Sequence, residues 1–191
     1  MDLKNKKIIL ASGSPRRREL LSGMGIDFEV DTLNHFKEEF NSDTPHEQVP
    51  ALMSEGKSHG FHRPLLDNEI LITSDTMVLS DNKIMGKPSG REEAIKMLTE
   101  LSGKEHRVIT AVTVRDNNSC ITESDTAWVQ FKDLSLEEIE YYVDNYKPFD
   151  KAGAYGIQEW IGYIGITGIR GSYFTIMGFP THLVYDLLSQ F

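Results

Sequence analysis

Residues 7–20 read KIILASGSPRRREL, and this stretch joins two different elements through a turn of small residues. The apolar run of residues 7–11 predicts a short buried strand, which residues 12–15 end. A proline suits the first turn of a helix, and the apolar residues of 16–24 follow at helical spacing. A strand that passes through a tight turn into a helix is typical of α/β proteins, so we predict that fold class.

The same turn has the chemistry of an anion site. Small residues let backbone N–H groups approach an anion closely, and the dipole at a helix N-terminus favours negative charge. The hydroxyls of Ser12 and Ser14 add donors, and three consecutive arginines, residues 16–18, supply charge-assisted donors. The alternative is a surface helix with solvated arginines, although arginine in a first turn opposes the helix dipole. We interpret residues 10–18 as a phosphate-binding loop, but not a Walker A loop, because the G-x-x-x-x-G-K-[ST] spacing is absent.

The rest of the chain alternates between helical and extended patterns. Apolar residues at helical spacing predict four more helices, at residues 48–60, 91–101, 136–145 and 181–189. Alternation and β-branched residues predict strands at residues 26–30, 69–73, 77–79, 84–85, 107–115, 121–131, 161–164 and 173–177. Capping-box spacings, Thr44 with Glu47 and Ser135 with Glu138, begin the first and third of these helices. The residues expected on the buried faces of those two helices are Val49, Leu52, Met53, Leu136, Ile139 and Val143.

No repeat, linker or low-complexity tract divides the sequence. We therefore predict a single domain over residues 1–191, a length that is sufficient to bury a core without disulfides or metals. Gly56 lies inside the predicted helix of residues 48–60 and is expected to weaken it locally.

The composition limits the classes of function. The net charge is −9, whereas a protein that binds duplex nucleic acid needs a basic surface. A few basic residues focused in one cleft still suffice to hold a triphosphate. The first apolar run stops after four residues, which is too short for a signal peptide, and no apolar stretch approaches the length of a membrane span. We expect a cytoplasmic protein that binds neither nucleic acid nor a membrane.

The chain has one cysteine, Cys120, and six histidines. A single cysteine forms no intramolecular disulfide, and Cys120 has no histidine near it in the sequence, so we interpret it as a spare thiol. The histidines lack the paired spacing of a metal site and form no cluster with cysteine in the sequence. We interpret them as surface or incidental residues.

Three further motifs carry polar groups suited to a nucleotide site. The SDT motif around Asp75 follows a predicted strand, where α/β sheets bind ligands, so Asp75 either binds a metal or water or only caps a turn. The GKP motif presents Lys87 on an extended backbone, over a cleft or in a solvated turn. The motif DKAGAYGIQ, which ends at Gln158, favours close ligand approach with Gln158 reading a base edge, or a structural crossover with a core tyrosine.

Taken in order, these motifs resemble the Maf family of nucleoside triphosphate pyrophosphatases. The matching pieces, which lie within residues 10–180, are LASGSPRRREL, SDT, GKP, LSGKEHRVITAV, KAGAYGIQ and GSYFTIMGFP. The resemblance implies an inosine-triphosphatase-like fold, an elongated mixed sheet flanked by helices with a deep cleft between two lobes. It also implies the reaction: water attacks the α-phosphorus of a nucleoside triphosphate, and the monophosphate and pyrophosphate are released with the help of Mg²⁺ or Mn²⁺.

The resemblance also implies roles for individual residues. Asp75 would be the general base or water-positioning carboxylate and a metal ligand, because a nearby dication keeps a carboxylate ionised. Lys57 and Lys87 would hold phosphate oxygens as point charges. Ser12 and Arg16 would contact the phosphates. Whether Arg17 and Arg18 also contact the phosphates stays open.

Metal binding and base selectivity complete the implied site. Glu38 resembles the family's second acidic residue and a metal ligand, with Glu39 as the neighbouring alternative. Thr76 and Gln158 match the subgroup that prefers dTTP and UTP, because a glutamine amide offers the donor and acceptor that the O4 and N3–H edge of thymine or uracil requires. The family further implies removal of non-standard pyrimidine nucleotides and a homodimer.

Two other functions are alternatives. One is a non-enzymatic nucleotide-binding regulator of septum formation, a role also attached to the family, which would bind nucleotide without hydrolysis. The presence of Asp75 with both lysines argues against it. The other is a nucleotidyltransferase, which usually carries a G-x-G-T-R type loop and a later acidic pair, and neither is seen in the sequence.

Overall fold

A computed structural model describes residue 3 and residues 5–191 of the chain. The strands are β1 (Lys7–Leu10), β2 (Phe28–Val30), β3 (Glu69–Ser80), β4 (Lys83–Met85), β5 (Glu105–Arg115), β6 (Cys120–Phe131) and β7 (Ile166–Arg170). The helices are α1 (Pro15–Gly23), α2 (Val49–His59), α3 (Arg91–Leu101), α4 (Leu136–Tyr146), α5 (Trp160–Gly165), α6 (Tyr173–Ile176) and α7 (Thr181–Leu188). Short 3₁₀ turns lie at His46–Gln48 and Ala152–Ala154.

The seven strands form one mixed sheet. Its order is β2-β1-β3-β5-β6-β7, and β4 pairs with β3. Strand β1 is parallel to both β2 and β3, whereas β4 and β7 pair antiparallel with β3 and β6. A four-residue turn, residues 116–119, joins β5 to β6, and only antiparallel neighbours accept so short a connection. The predicted α/β class, with a mixed sheet flanked by helices, is confirmed.

Two compact units are present in the chain. The first unit comprises Met1–Asp75, Thr110–Asp125 and Gly178–Phe191, and the second comprises Thr76–Ile109 and Thr126–Met177. Strands β3, β5 and β6 each contain residues of both units. No helix among the described residues combines the length and apolar character that a membrane crossing requires.

The core of the first unit fixes the start of the chain. Ile8 and Leu10 of β1 pack into a cluster with residues of α1, β3 and α7, whereas Ile9, on the other face of the strand, packs with Phe61 and Leu71. Side chains alternate between the faces of a strand, so β1 is buried on both sides. The loop that follows β1 therefore begins at a rigidly held strand.

The second unit contains two packed amphipathic helices, α3 and α4. The predicted bounds of α3 are confirmed, and its buried face is Ala94, Leu98 and Leu101. The predicted capping box at the start of α4 is also confirmed, because Ser135 and Glu138 each accept a hydrogen bond from the other's backbone N–H. Such a box satisfies two N–H groups that the first turn would otherwise leave unpaired.

Helix α2 begins later than predicted. The capping box at Thr44 is wrong, since residues 46–48 form a 3₁₀ turn and α2 starts at Val49 without a side-chain cap. Pro50 explains this start, because proline clashes with the carbonyl four residues earlier and is accepted only in a first helical turn. The helix continues through Gly56 without interruption.

Two leucines expected in the core are exposed. Leu52 of α2 is 45% exposed and Leu136 of α4 is 58% exposed. In α2 the buried face includes Ser54 and Ser58, which hydrogen-bond to the sheet, and this rotation moves Leu52 outward. In α4 the side chain that completes the buried face is Tyr142.

The predicted end of the strand at residues 69–73 is wrong. Strand β3 does not stop at residue 73 but continues to Ser80, because the polar Thr73 and Ser74 find partners in the backbone carbonyls of Ser54 and Gly178. Consequently Asp75 lies within a strand rather than after one. The hairpin of β3 with β4 is confirmed.

The predicted strands at 161–164 and 173–177 are both helices, and β7 lies between them. A β-carbon on Gly162 would lie 2.0 Å from the carbonyl oxygen of Ile157, so the missing side chain lets α5 pack on that backbone. Ser172 begins α6 by accepting a hydrogen bond from the backbone N–H of Phe174. These local contacts outweigh the strand propensity of the isoleucines and tyrosines.

Candidate active site

The turn between β1 and α1 is held by a buried serine. Ser12 Oγ accepts hydrogen bonds from the backbone N–H of Ser14 at 3.2 Å and from Arg17 Nη1 at 3.3 Å. Helix α1 has no side-chain cap and no acidic residue in its first turn. The N-terminal end of α1 therefore keeps the backbone geometry and dipole that favour an anion.

The side chain of Arg17 is held by two strong hydrogen bonds to backbone carbonyls. Its Nε donates to the carbonyl of Gly178 at 2.9 Å, and its Nη1 donates to the carbonyl of Ser74 at 2.8 Å. Burial lowers the pKa of Arg17 to about 10, while the charges of Asp75 and Glu38 act in the opposite direction. Arg17 stays charged at neutral pH and joins three segments of the first unit.

The sequence did not distinguish Arg17 from its neighbours. Arg16, the arginine singled out by the resemblance, is half-buried, and Arg18 is exposed, with its guanidinium 3.5 Å from the carbonyl of Gly13. Three identical residues in one helical turn differ only in the direction each side chain takes. The phase of α1 against the core decides that direction, and only the folded chain reveals it.

Lys57 lies between two carboxylates. Its Nζ is 2.6 Å from Asp75 Oδ1 and 2.9 Å from Glu38 Oε1. The side chains of Lys57 and Asp75 are only 20% and 19% exposed, whereas Glu38 is 63% exposed. We call these three residues the carboxylate–lysine cluster. The structure thus brings together three residues that lie far apart in the sequence, and Glu38 rather than Glu39 makes the contact.

The formal charge of this cluster is −1, from two carboxylates and one ammonium. Two carboxylates that share one ammonium also form an all-oxygen donor set, which is the type that Mg²⁺ prefers, completed by water and phosphate oxygens. The cluster therefore has the donors for a divalent cation together with a lysine that can hold a phosphate oxygen.

The segment that carries Glu38 packs on α2. Asn34 Nδ2 donates to the carbonyl of Lys57 at 2.6 Å, and the backbone N–H of His35 donates to the carbonyl of Gly60 at 2.8 Å. Asn34 Oδ1 in turn accepts from the backbone N–H of Phe36 at 2.8 Å. These bonds fix the chain just before Glu38 to the last turn of the helix that carries Lys57.

One pocket of the first unit is lined both by the phosphate-binding turn and by two members of the carboxylate–lysine cluster. Its lining residues are Ala11, Ser12, Gly13, Arg17, Thr32, Asn34, Phe36, Glu38, Lys57 and Ser74. Anion-binding backbone, a half-buried guanidinium, an ammonium and a carboxylate thus face one concave space. This combination suits a ligand with several phosphates.

The other predicted site residues lie in the second unit. Lys87 is exposed in the segment after β4, and Gln158 is half-buried. The two motifs that contain them meet, because the backbone N–H of Gly153 donates to the carbonyl of Gly86 at 3.1 Å. Thr76 follows Asp75 in β3 and is half-buried. The convergence of Lys87 and Gln158 on Asp75 remains a prediction.

The predicted alternative of a core tyrosine is found in the same loop. Tyr155 is buried, and its hydroxyl is 2.7 Å from Nε2 of His106. The rings of His106, Tyr155 and Phe131 pack against one another at centroid distances of 5.1–5.5 Å. His106 is therefore a core residue that supports the loop leading to Gln158.

The surroundings of Cys120 in space differ from its surroundings in the sequence. No histidine is near it in the sequence, but its Sγ lies 3.9 Å from His59 Nε2. His59 is also 3.7 Å from Glu55, so a His/Cys/Glu group does exist on the surface of the first unit. Cys120 lies 61 residues after His59 in the sequence, which is why spacing alone missed the group.

Sequence and structure comparisons identify known proteins to which this chain is similar. The sequence profile of the family described as "Maf-like protein" matches residues 7–191. A dTTP/UTP pyrophosphatase of Bacteroides thetaiotaomicron is 47% identical, covering 99% of this chain and 98% of that protein. One of Parabacteroides distasonis is 45% identical, with 100% and 98% covered, and one of Porphyromonas gingivalis is 44% identical, with 100% and 96% covered. Among solved structures, a HAM1 protein from Coxiella burnetii is similar, with a TM-score of 0.49 and 12% identity over 97% of this chain and 100% of that one.

Proposed function

The chain belongs to the Maf family, and from this premise we propose that it hydrolyses dTTP and UTP to the nucleoside monophosphate and pyrophosphate. The observation that carries the proposal is the carboxylate–lysine cluster, in which Lys57 Nζ contacts both Asp75 and Glu38. The names of relatives that are 44–47% identical over nearly the whole chain support the substrate class.

The phosphates have a binding surface in the first unit. The uncapped start of α1 offers backbone N–H groups, and Ser12 and Arg16 supply a hydroxyl and a guanidinium. Arg17 holds the turn in shape through the carbonyls of Ser74 and Gly178 and adds positive charge. We assign Lys57 and Lys87 to phosphate oxygens, with Lys57 leaving its carboxylate partners as the triphosphate and its cation arrive.

The donor set of the cluster fits a divalent cation. Glu38 and Asp75 supply carboxylate oxygens that lie within reach of one ammonium, and phosphate oxygens would complete the shell. We propose Mg²⁺, with Mn²⁺ as a substitute, held by Glu38 and Asp75. When bound, the cation would polarise the phosphate oxygens and neutralise the charge that develops on them.

Asp75 is the proposed acceptor of the proton of the attacking water. It lies within β3 and is only 19% exposed, so the strand holds its carboxylate in one orientation. Water oriented by Asp75 adds to the α-phosphorus, the bond from that phosphorus to the bridging oxygen breaks, and pyrophosphate leaves. Lys57 and Lys87 stabilise the charge on the leaving group.

Base selectivity is assigned to Thr76 and Gln158. The amide of Gln158 both donates and accepts, which matches the O4 and N3–H edge of thymine and uracil. The buried pair of Tyr155 and His106 supports the loop from which Gln158 extends. We expect Gln158→Ala to raise KM for dTTP and UTP more than it lowers kcat.

A panel of triphosphates with Mg²⁺, scored separately for pyrophosphate and orthophosphate, tests the function. The expected result is pyrophosphate from dTTP and UTP, and Asp75→Asn is expected to fold normally and to lose turnover. Release of orthophosphate would contradict the reaction. Activity confined to other bases would contradict the selectivity alone.

The regulator of septum formation is not favoured, because a protein that only binds nucleotide has no need of a half-buried carboxylate beside a lysine. Tight binding of dTTP by the wild-type protein without any hydrolysis would reverse this choice. The expected cytoplasmic location and homodimer stay predictions, and sedimentation of the purified protein tests the second.

A further inference from the structure

Three side chains that the proposed reaction does not use meet on the surface of the first unit. Their ligand atoms are Glu55 Oε1, His59 Nε2 and Cys120 Sγ, and all of them lie within 4.8 Å of one another. His59 Nε2 is central, at 3.7 Å from the carboxylate oxygen and 3.9 Å from the sulfur. We call this group the Glu55–His59–Cys120 cluster.

The fold determines where these residues stand. Glu55 and His59 are four residues apart in α2, which places both on the same face of the helix. Cys120 is the first residue of β6, the neighbour of β5 in the sheet. A helix and a sheet strand therefore each contribute ligands, as in many metal sites whose donors come from separate elements.

Hydrogen bonds between side chains of α2, β5 and β6 hold the helix against these strands. Ser54 Oγ and Thr113 Oγ1 are 2.8 Å apart, and Thr113 Oγ1 and Thr122 Oγ1 are 2.9 Å apart. At the end of β5, Arg115 donates to both Oγ and the carbonyl of Ser58, at 3.0 and 2.8 Å. These contacts hold the helix and the strands in place, so the backbone positions of the three ligands are fixed relative to one another.

The spacing fits a small tetrahedral ion. With Zn–S of about 2.3 Å and Zn–N and Zn–O of about 2.0–2.2 Å, tetrahedral ligand atoms stand roughly 3.3–3.6 Å apart. The distances of 3.7 and 3.9 Å exceed these values by only a few tenths of an ångström, and the carboxylate oxygen of Glu55 lies within 4.8 Å of the sulfur. Exposed side chains close such a gap by small rotations. We propose that the Glu55–His59–Cys120 cluster is a zinc-binding site with water as the fourth ligand.

The chemistry of the donors selects the ion. Thiolate and imidazole favour Zn²⁺ and similar ions, whereas Mg²⁺ prefers the all-oxygen set of Glu38 and Asp75. Binding requires the thiolate, so the Cys120 thiol releases its proton to solvent as the sulfur–zinc bond forms. A thiolate and a carboxylate together neutralise the dication. The protein would therefore offer two cation sites of opposite preference.

Cobalt titration of the reduced, chelator-treated full chain tests the proposal, because Co²⁺ bound to a thiolate absorbs in the near ultraviolet and in the visible. The expected result is one equivalent of Co²⁺ with a thiolate charge-transfer band, displaced by Zn²⁺ and absent in Cys120→Ser. Glu55→Gln and His59→Asn are each expected to weaken zinc binding by about tenfold or more, a change of about 1.4 kcal/mol or more.

His182→Asn is the matched control, since His182 is also exposed and faces a single carboxylate, Asp125 at 3.9 Å. It should leave the cobalt spectrum and the zinc affinity unchanged, and so should Asp75→Asn. Absence of the band from the wild-type protein would overturn the proposal. A band that keeps its affinity in both Glu55→Gln and His59→Asn would also overturn it, because the thiol alone would then be the ligand.

Discussion

The ring of Phe36 occupies the space that a β-carbon on residue 56 would fill. An ideal β-carbon at Gly56 would lie 2.3 Å from both Cε2 and Cζ of that ring, and contacts under 3.0 Å are essentially never made by real β-carbons. Gly60, one turn later, has the same relationship with the β-carbon and backbone nitrogen of Phe36, at 2.6 and 2.7 Å. Gly56 in α2 and Gly60 at its C-terminal cap thus let the segment before Glu38 lie directly on the helix that carries Lys57.

Gly56→Ala should therefore lower activity. The new methyl group pushes Phe36 away, and Glu38 moves with it relative to Lys57. We expect kcat/KM for dTTP to fall about tenfold or more, with a higher Mg²⁺ concentration needed for half-maximal rate. Steady-state kinetics over a range of Mg²⁺ concentrations measures both quantities.

Gly23→Ala is the control for that variant, because Gly23 lies in α1 with no atom within 4 Å of its ideal β-carbon. It should keep wild-type kinetics and add up to about 1 kcal/mol of stability. Equal kinetics for Gly56→Ala and wild type would show that the Phe36 packing does not position Glu38.

Lys57→Met should remove most of the turnover. The ammonium at 2.6 Å from Asp75 and 2.9 Å from Glu38 is lost, which leaves two carboxylates facing each other without a counter-charge. We expect kcat to fall by about 10²–10³-fold, the size typical for loss of one charge-stabilising donor. Lys37→Met, at an exposed position one residue before Glu38, should change kcat by less than about twofold in the same assay.

Arg17→Lys should destabilise the first unit. Lysine cannot reproduce the hydrogen bonds of Nε to Gly178 and of Nη1 to Ser74, so buried carbonyls lose their partners. We expect the free energy of unfolding to fall by about 1–3 kcal/mol, measured by urea denaturation. Arg18→Lys, at the exposed neighbour, should stay within about 0.5 kcal/mol of wild type. Equal losses in the two variants would contradict the special position of Arg17.

His106 should make stability fall in mild acid. Burial lowers the pKa of His106 to about 4 from its ordinary 6.5, so the unfolded chain binds this proton at a higher pH than the folded chain. The contribution of the neutral imidazole is complete above pH 6.5 and is lost as the pH falls toward 4, by up to a few kcal/mol. Urea unfolding at several pH values should show a flatter profile for His106→Gln than for wild type. His182→Gln, at an exposed site, should keep the wild-type profile.

The sequence predicted most of the fold wherever a pattern was long. Helix α3 and the pair of β5 and β6 have strong periodicity over eleven or more residues each, and their types were predicted correctly. Short segments failed, because four residues of isoleucine, tyrosine and glycine have no period of their own. Residues 161–164 became helical through the contact of Gly162 with Ile157, which lies outside any local pattern.

Asp75, Lys57 and Glu38 were chosen from motif resemblance, and the structure places both carboxylates within 2.9 Å of Lys57 Nζ. The roles of these residues in binding and catalysis stay predictions. Arg17 was not separated from Arg16, since side-chain direction depends on how α1 packs. The packing of Phe36 was also missed, because its partners are Gly56 in α2 and Gly60 at the end of that helix, and no spacing rule connects them with Phe36.

The two units are interleaved along the chain, and this has a consequence for inheritance. The first unit draws on three separate stretches of sequence and the second on two. Because the first unit contains the opening and closing stretches, every single crossover between two related genes would divide it between two parents. Exchange of residues 76–177 as a block would also replace residues 110–125, which belong to the first unit. New substrate preferences in this lineage should therefore arise by substitution of single residues rather than by the exchange of one unit as a module.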